Sequence, residues 1–299
     1  MKSGFVAIIG RPNVGKSTFL NAIIGKKIAI MSNKPQTTRN TISGVYTTSD
    51  AQIVFIDTPG IHKPHNELGA RMTKSAYQST RGVDAILWMI SAKEHFTTGE
   101  EMIIENIKNT NTPIFLCINK IDLLKNKQEI DKIILEYKDK LNFKGIYPIS
   151  ALENQNIEHV INDIKEILPE GPKYYPDNMI TDHPEGFLIA EIIREKVLIN
   201  TEEEVPHSVA VVIDMLRKNE DNPDVIDCYA SIYVERKSQK GIIIGAGGSM
   251  LKKIGSQARK DIKNILGSKV YLEIWVKVKE DWRNRENALK VFGYGSDNF

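Results

Sequence analysis

The chain has 299 residues, of which 41% are hydrophobic and 26% are charged, and its formal net charge is +2. This length predicts roughly two globular domains with ample core, and the composition excludes a low-complexity chain. No apolar run approaches the roughly 20 residues needed to cross a bilayer, and no signal-peptide pattern is present, so we expect a cytoplasmic protein.

In the first half of the chain, strand-like apolar runs alternate with amphipathic helical stretches. The predicted strands cover 5–9, 52–57, 84–91, 113–120 and 145–150. The predicted helices are Ser17–Ile24, Leu68–Thr80, Gly99–Lys108, Gln128–Lys140 and Ile157–Leu168. This alternation predicts an α/β domain over residues 1–168, with a doubly wound and mostly parallel sheet.

A proline-rich segment then breaks the pattern. Pro169, Pro172, Pro176 and Pro184 lie within residues 169–185, which we predict to be a linker because proline at this density continues neither a helix nor a central strand. Residues 186–299 predict a small α+β domain. Its elements are a helix at Phe187–Ile199, strands at His207–Met215 and Cys228–Glu235, a glycine-broken helical stretch at Gly247–Leu266, a strand at Val270–Val278 and a terminal helix.

The stretch GRPNVGKST follows the first predicted strand and opens the first predicted helix. It matches the phosphate-binding loop pattern, in which glycines let several backbone N–H groups converge at a positive helix N-terminus. Lys16 can reach the β and γ phosphates, and the Ser17 hydroxyl can ligate Mg²⁺. The predicted nucleotide-binding residues here are Gly10, Arg11, Pro12, Asn13, Val14, Gly15, Lys16, Ser17 and Thr18.

Three later motifs each lie at the C-terminal end of a predicted strand, the edge where open α/β sheets bind ligands. Asp57 is placed to orient Mg²⁺, and Gly60 can offer its N–H to the γ-phosphate. Asp122 can accept two hydrogen bonds from guanine, a donor pair that adenine lacks. Asn119 can bond the base edge, and the Ala151 N–H can meet guanine O6. The nucleotide-binding residues predicted here are Asp57, Thr58, Pro59, Gly60, Asn119, Lys120, Ile121, Asp122, Ser150, Ala151 and Leu152.

Together the four motifs resemble the translation-factor class of small GTPases, and this resemblance implies GTP or GDP as the ligand. It also identifies the stretch 36–40, QTTRN, as a switch position whose threonine completes the Mg²⁺ shell. By family position Thr38 is favoured over Thr37. The predicted metal ligands are therefore Ser17, Thr38 and Asp57.

The residue after the DTPG motif is Ile61, where many GTPases carry a glutamine that orients the attacking water. An isoleucine cannot hold a water by hydrogen bonding, so the chain resembles the hydrophobic-substituted GTPases. Asn13 matches a residue that helps some of these relatives bind K⁺ beside the phosphates, which makes K⁺ a hypothetical further cofactor. We expect slow intrinsic turnover, with catalytic roles for Lys16, Thr38, Gly60 and Asn13.

The second half contains Gly245-Ala246-Gly247-Gly248 between an apolar run and a helical stretch, which fits the GXXG loop of a type II KH domain. Such a loop clamps about four nucleotides of a single strand. From residue 240 onward there are 12 Lys and Arg against 6 Asp and Glu, a charge balance that suits a polyanion. The predicted RNA-binding residues are Gly245, Ala246, Gly247, Gly248, Lys252 and Lys253.

The pairing of these two modules resembles the Era family of bacterial ribosome-assembly GTPases, TrmE-Era-like proteins with a C-terminal KH domain. The strings EIIREK, VPHSV, GSQARKD and LEIWVKVK of the second half extend the resemblance over nearly the whole chain. It implies a monomer that hydrolyses GTP and binds 16S rRNA near its 3′ end during assembly of the 30S subunit, with a link to cell growth and the cell cycle. One departure is the GXXG interior, which is usually polar or basic in this family.

An alternative function remains open at this point. The chain could act as a GTPase switch at the inner membrane, with the KH-like domain as a docking module and only peripheral membrane contact. A tRNA-modifying GTPase is less well supported, because neither Cys117 nor Cys228 lies near the C-terminus. We expect both cysteines to be reduced, and Trp88, Trp275 and Trp282 to pack in the core.

Overall fold

The computed structural model describes residues 1–126 and 128–294 of the chain. These residues form two compact units. The first contains residues 1–29, 38–65 and 69–182, and the second contains residues 30–37, 66–68 and those from 183 onward. The predicted second domain ends at residue 299, so its last five residues lie outside the described part, and its predicted boundaries with the linker stay predictions.

The first unit contains a six-stranded sheet flanked by helices. Its elements are β1 Lys2–Ile9, α1 Lys16–Ile24, β2 Ile42–Thr47, β3 Ala51–Asp57, α2 Glu67–Gln78, β4 Ala85–Ser91, α3 Thr98–Ile107, β5 Ile114–Asn119, α4 Gln128–Tyr137, β6 Phe143–Pro148 and α5 Ile157–Ile167. The strand order is β2-β3-β1-β4-β5-β6, and only the β2–β3 pair is antiparallel. This confirms the predicted doubly wound, mostly parallel sheet.

The central strands of this sheet are buried on both faces, which explains their continuous apolar sequences. All residues of β4 and β5 are buried, and Val6, Ala7, Ile8 and Ile9 of β1 are fully enclosed. The edge strand β2 was not predicted from the sequence. Its six residues include Gly44 and only half of them are buried, so its pattern is weak and its pairing with β3 decides its conformation.

The proline-rich segment forms no helix and is fastened along the first unit. Gln52, which is fully buried, accepts hydrogen bonds from the backbone N–H groups of Tyr174 and Tyr175 at 2.7 and 3.0 Å and donates to the Tyr175 carbonyl. The Val45 N–H donates to the carbonyl of Ile180 at 2.9 Å. Hydrogen bonds from Gln52 of β3 and Val45 of β2 therefore hold Tyr174, Tyr175 and Ile180 of this stretch against the first unit.

The second unit is an α+β domain around a three-stranded sheet of order β7-β8-β9. Its elements are α6 Glu185–Asn200, α7 Val205–Ser208, β7 Ala210–Lys218, β8 Val225–Val234, α8 Lys237–Ile244, α9 Ser249–Leu266, β9 Lys269–Val278 and α10 Glu286–Val291. The β7–β8 pair is antiparallel and the β8–β9 pair is parallel. The element order confirms the predicted KH architecture, and the apolar run before the GXXG turn belongs to a helix of its own, α8.

One expectation about the tryptophans is wrong. Trp88 and Trp282 are buried, as predicted, but the side chain of Trp275 on β9 is 56% exposed. The reason is the strand's alternation: Val276 faces the core, so its neighbour Trp275 faces outward, as does Tyr271 four residues earlier.

Residues 30–37 pack within the second unit, although they follow α1 in the chain. The Glu195 carboxylate accepts a hydrogen bond of 2.9 Å from the Met31 N–H. Buried Arg194 donates to the carbonyl of Thr37 and pairs with Glu191. Arg194 and Glu195 of the EIIREK string on α6 thus hold the two ends of the segment 30–37.

No helix in the described residues has the length and apolar character that crossing a membrane requires.

Candidate nucleotide and nucleic-acid sites

The loop between β1 and α1 has the backbone that a phosphate-binding loop needs. Gly15 precedes α1 with a φ of 102°, a left-handed conformation that favours glycine. A Cβ at this position would lie 2.2 Å from Nδ2 of Asn119, so no larger residue fits. The chain can then turn sharply and direct its N–H groups and the N-terminus of α1 toward an anion.

Lys16 is held over this loop. Its side chain is buried, and its Nζ donates to the carbonyls of Gly10 at 3.2 Å and Arg11 at 2.9 Å. Burial lowers the pKa of Lys16 to about 8, against the opposing attraction of Asp57 and Glu94. A phosphate bound at this loop would place a further negative charge beside the buried ammonium and would favour its charged form.

The three predicted metal ligands come together at the end of β3. The Ser17 Oγ donates to Oδ2 of Asp57 at 2.6 Å and lies 2.8 Å from Oγ1 of Thr38. Asp57 is fully buried, and its Oδ1 has no hydrogen-bond partner among the described residues. Burial raises the pKa of Asp57 to about 6, with Lys16 and Ser17 opposing the shift. Two hydroxyls and an unsatisfied carboxylate oxygen form a hard-oxygen set that fits Mg²⁺.

The structure also separates Thr38 from Thr37. The Thr37 hydroxyl donates to the carbonyl of Lys34 at 2.6 Å and lies 2.7 Å from the Ser32 hydroxyl, so it is engaged within its own segment. Only the Thr38 hydroxyl reaches the Ser17–Asp57 pair. The assignment of Thr38 as a metal ligand stays a prediction.

The predicted base-recognition residues lie at the ends of β5 and β6. Asp122 is exposed, and its Oδ1 accepts a hydrogen bond of 2.5 Å from the Ser150 hydroxyl, which orients the carboxylate. Asn119 does not extend to solvent. Its Nδ2 donates to the Val14 carbonyl at 2.8 Å, and its Oδ1 accepts from the Ala151 N–H at 2.9 Å. Asn119 thus braces the phosphate loop against the 150–152 loop, a function that the sequence analysis did not anticipate.

The remaining residues of these motifs are also near the loop. Lys120 donates to the carbonyl of Asn13 at 2.6 Å, which ties the base motif to the phosphate loop. Thr58 donates to the Ile8 carbonyl at 2.7 Å. Leu152 is 73% exposed beside the base motif, and Arg11 pairs with Glu94 at 3.0 Å and with Glu100 at 3.2 Å.

Ile61 occupies the position after Gly60 as a core residue. Its side chain is buried in an apolar cluster with Ile9 and Trp88, and its N–H donates to the Gly10 carbonyl at 3.0 Å. The side chain therefore offers no polar atom that could orient water. Asn13 adopts a φ of 62° in the phosphate loop, a conformation that asparagine tolerates better than most residues.

Four of the six predicted RNA-binding residues, Gly245 to Gly248, form the turn between α8 and α9, and the other two lie on α9. Gly245 ends α8 with a φ of 73°, and a Cβ there would lie 2.8 Å from Cβ of Met250. Gly248 precedes α9 with a φ of 80°, and Ala246 and Gly247 are exposed. Lys252 and Lys253 lie exposed near the start of α9. The turn thus offers unobstructed backbone and positive charge, as a sugar-phosphate clamp requires.

Comparisons with known proteins agree with both halves. A family model described as a 50S ribosome-binding GTPase matches residues 5–120, and a KH domain model matches residues 204–283. The chain is similar to the crystal structure of an Era variant from Aquifex aeolicus bound to GDP·AlF4⁻, with 44% sequence identity and a TM-score of 0.93. That match covers 99% of this chain and 100% of the other.

A second crystal structure shows Era with MgGDPNP and nucleotides 1506–1542 of 16S ribosomal RNA. It also has 44% identity and a TM-score of 0.93, and the match covers 99% of each chain.

Proposed function

The chain belongs to the Era family, and from this premise we propose that it is a GTPase that binds 16S rRNA near its 3′ end during assembly of the 30S subunit. The proposal assigns GTP or GDP with Mg²⁺ to the first unit and single-stranded rRNA to the GXXG turn of the second. The cytoplasm is the location that fits such a partner.

The observation that carries the GTPase assignment is the cluster of Ser17, Thr38 and Asp57 beside the phosphate loop. Ser17 and Thr38 would hold Mg²⁺ directly, with Asp57 orienting it, and the ion would neutralise charge on the β and γ phosphates. Related proteins bound to MgGDPNP and to GDP·AlF4⁻ support this assignment.

Hydrolysis converts GTP and water to GDP and phosphate. The attacking water must approach the γ-phosphorus in line with the departing oxygen, while negative charge spreads over the phosphoryl oxygens. Lys16 and the N–H groups of the loop stabilise this charge, and the Gly60 N–H can bond the γ-phosphate. Ile61 supplies no group that orients the water, which supports slow intrinsic turnover. A K⁺ ion held by Asn13 would add positive charge at the same place.

Selection of guanine would rest on Asp122, whose carboxylate is oriented by Ser150. Its oxygens can accept hydrogen bonds from both N1–H and the N2 amine of guanine. The Asp122→Asn variant should lose about tenfold or more in GTP affinity and gain affinity for XTP, because xanthine carries a carbonyl at position 2 that an amide N–H can meet. Calorimetry with GTP, XTP and ATP tests this, with exposed Asp131→Asn on α4 as the matched control. Equal uptake of ATP and GTP by the wild-type chain would refute the assignment.

Binding of rRNA would rest on the GXXG turn and the two lysines that follow it. The double variant Lys252→Glu and Lys253→Glu should lose binding to nucleotides 1506–1542 of 16S rRNA and keep its affinity for GTP. The control carries the same charge change at exposed Lys132 on α4 and exposed Lys138, which directly follows this helix. Unchanged rRNA binding by the first variant would contradict the assignment of this surface to RNA. It would favour the alternative function, a GTPase switch at the inner membrane.

A further inference from the structure

The arginine of the phosphate loop is joined to α3 by its side chain. Nη1 of Arg11 donates to Oε1 of Glu100 at 3.2 Å and forms an ion pair with Oε2 of Glu94 at 3.0 Å. A Cβ on Gly99 would lie 3.0 Å from both Cδ and Nε of Arg11, so the arginine stem packs closely on the first turn of α3. Two carboxylates and a close contact therefore hold this side chain in place.

Glu100 is fixed by bonds to both of its carboxylate oxygens. Its side chain is only 4% exposed. Oε2 accepts hydrogen bonds from the N–H and the hydroxyl of Thr97, at 2.9 and 2.6 Å, and so completes the N-terminal cap of α3. Oε1 accepts the bond from Arg11, which gives the buried charge the partner that it needs. One carboxylate thus fastens the helix cap and the loop arginine together.

Helix α3 is a firm support for this link. Its Ile103 is fully buried in the apolar cluster that also contains Ile9 and Ile61. Ile9 ends β1 directly before the phosphate loop, and Ile61 directly follows the DTPG motif. The helix is therefore packed against the same elements that carry the nucleotide site, and a side chain on its first turn can fix the loop.

The main chain of Arg11 connects this support to Lys16. Nζ of Lys16 donates to the Arg11 carbonyl at 2.9 Å, so the residue that Glu100 holds by its side chain holds the ammonium by its carbonyl. Lys16 faces the β and γ phosphates in this class of loop, and a misplacement of about 1 Å can lower turnover about 100-fold.

We propose that Glu100 is a positioning residue for GTP hydrolysis, which acts through Arg11 on the phosphate loop and on Lys16. This inference rests on the proposed GTPase function and adds a residue of α3 to it. Glu94 should contribute less than Glu100, because its side chain is 35% exposed and water screens its ion pair.

The test measures hydrolysis of GTP with Mg²⁺ by the full chain and by Glu100→Gln. A glutamine has one carbonyl oxygen, so it can accept from the cap or from Arg11 but not from both. We expect kcat to fall roughly tenfold and KM to stay within about twofold, since the loss concerns the transition state. Glu94→Gln should lose about twofold in kcat. The matched control, Glu101→Gln, alters an exposed carboxylate in the same helical turn and should match wild type.

A double-variant cycle tests the route through Arg11. Arg11→Met removes the guanidinium and keeps a long stem over Gly99. If Glu100 acts through Arg11, the chain with both substitutions should be slower than Arg11→Met alone by less than about twofold. Losses that multiply would overturn the proposal, because the two residues would then act independently. Calorimetric counting of GDP sites expresses each kcat per folded site, so partial unfolding does not imitate the effect.

Failure of the proposed function gives a different result from failure of this inference. If the wild-type chain does not hydrolyse GTP, the function fails and the inference fails with it. If wild type hydrolyses GTP and Glu100→Gln has the same kcat, the inference is overturned and the function stands. A raised KM with unchanged kcat, or an equal loss in Glu101→Gln, would also overturn it. The effect would then belong to nucleotide binding in general or to the charge at the helix N-terminus.

Discussion

Ser17 and Asp57 are joined by a hydrogen bond of 2.6 Å, although 40 residues separate them in the chain. Ser17 lies in the first turn of α1, and Asp57 is the last residue of β3. Because β1 and β3 are neighbouring parallel strands, their C-terminal ends bring both residues to one edge of the sheet. The bond holds a buried carboxylate beside the phosphate loop.

The stability of the metal-free protein should depend on the protonation of Asp57. Its pKa is about 6 in the folded state and 3.8 in the unfolded state, so the folded chain binds the extra proton between these values. This stabilising contribution is complete below pH 3.8 and is lost as the pH rises through 6. Relative to Asp57→Asn, wild type should lose about 2 kcal/mol of unfolding free energy between pH 4 and pH 7.

Urea unfolding in the presence of a chelator measures this difference. The exposed Asp131→Asn variant serves as the control and should follow the wild-type pH profile. Parallel profiles for wild type and Asp57→Asn would show that Asp57 does not titrate in this range.

Glycine at position 15 should be indispensable for nucleotide binding. Gly15→Ala would place a Cβ 2.2 Å from Asn119 in a left-handed backbone, and would disturb the hydrogen bonds through which Asn119 braces two loops. A strain of this kind costs about 1–3 kcal/mol, so GDP affinity should fall roughly 10- to 100-fold by calorimetry.

Gly25 provides a matched control at the other end of α1. Its φ is 70°, but no atom lies within 4 Å of an added Cβ. Gly25→Ala should cost about 1 kcal/mol of stability and leave GDP affinity unchanged. Similar losses of affinity in both variants would mean that backbone strain alone, and not the contact with Asn119, explains the effect.

Turnover should depend on potassium through Asn13. Ile61 is buried and cannot orient the attacking water, so hydrolysis needs another source of transition-state stabilisation. A cation bound beside the loop would provide it through its positive charge near the phosphates. We expect GTP hydrolysis to be roughly tenfold faster in K⁺ than in Na⁺ at equal ionic strength. Asn13→Gly removes the side chain but tolerates the positive φ, and should abolish the difference. Equal rates in both salts for wild type would remove the potassium hypothesis.

A lysine within the GXXG turn should strengthen RNA binding. Ala246 is exposed, and a side chain there would point to the solvent-facing part of the turn, so Ala246→Lys adds a phosphate contact without steric conflict. Affinity for the 16S rRNA fragment should rise severalfold, and the salt slope should grow by about 0.7. Gln128→Lys on α4 adds the same charge elsewhere and should change neither value. A gain shared by both variants would indicate a general charge effect.

The sequence determined most of the chemistry of this protein. The loop GRPNVGKST and the motifs DTPG, NKID and SAL each follow an apolar strand, and parallel strands end at one edge of a sheet. Residue order alone therefore predicted that Lys16, Ser17, Asp57 and Asp122 lie at the same edge of the sheet. The sequence also predicted the GXXG turn, because glycine adopts left-handed backbone conformations that other residues disfavour.

Only the tertiary structure decided features that depend on partners distant in the chain. It placed Asn119 as a brace, gave Asp57 its raised pKa by burial, engaged Thr37 within residues 30–37 and turned Trp275 outward. It also joined Arg11 to Glu100, two residues that lie 89 positions apart in the chain. Local patterns encode backbone conformation, but burial, hydrogen-bond partners and electrostatic environment are set by residues that meet only after folding.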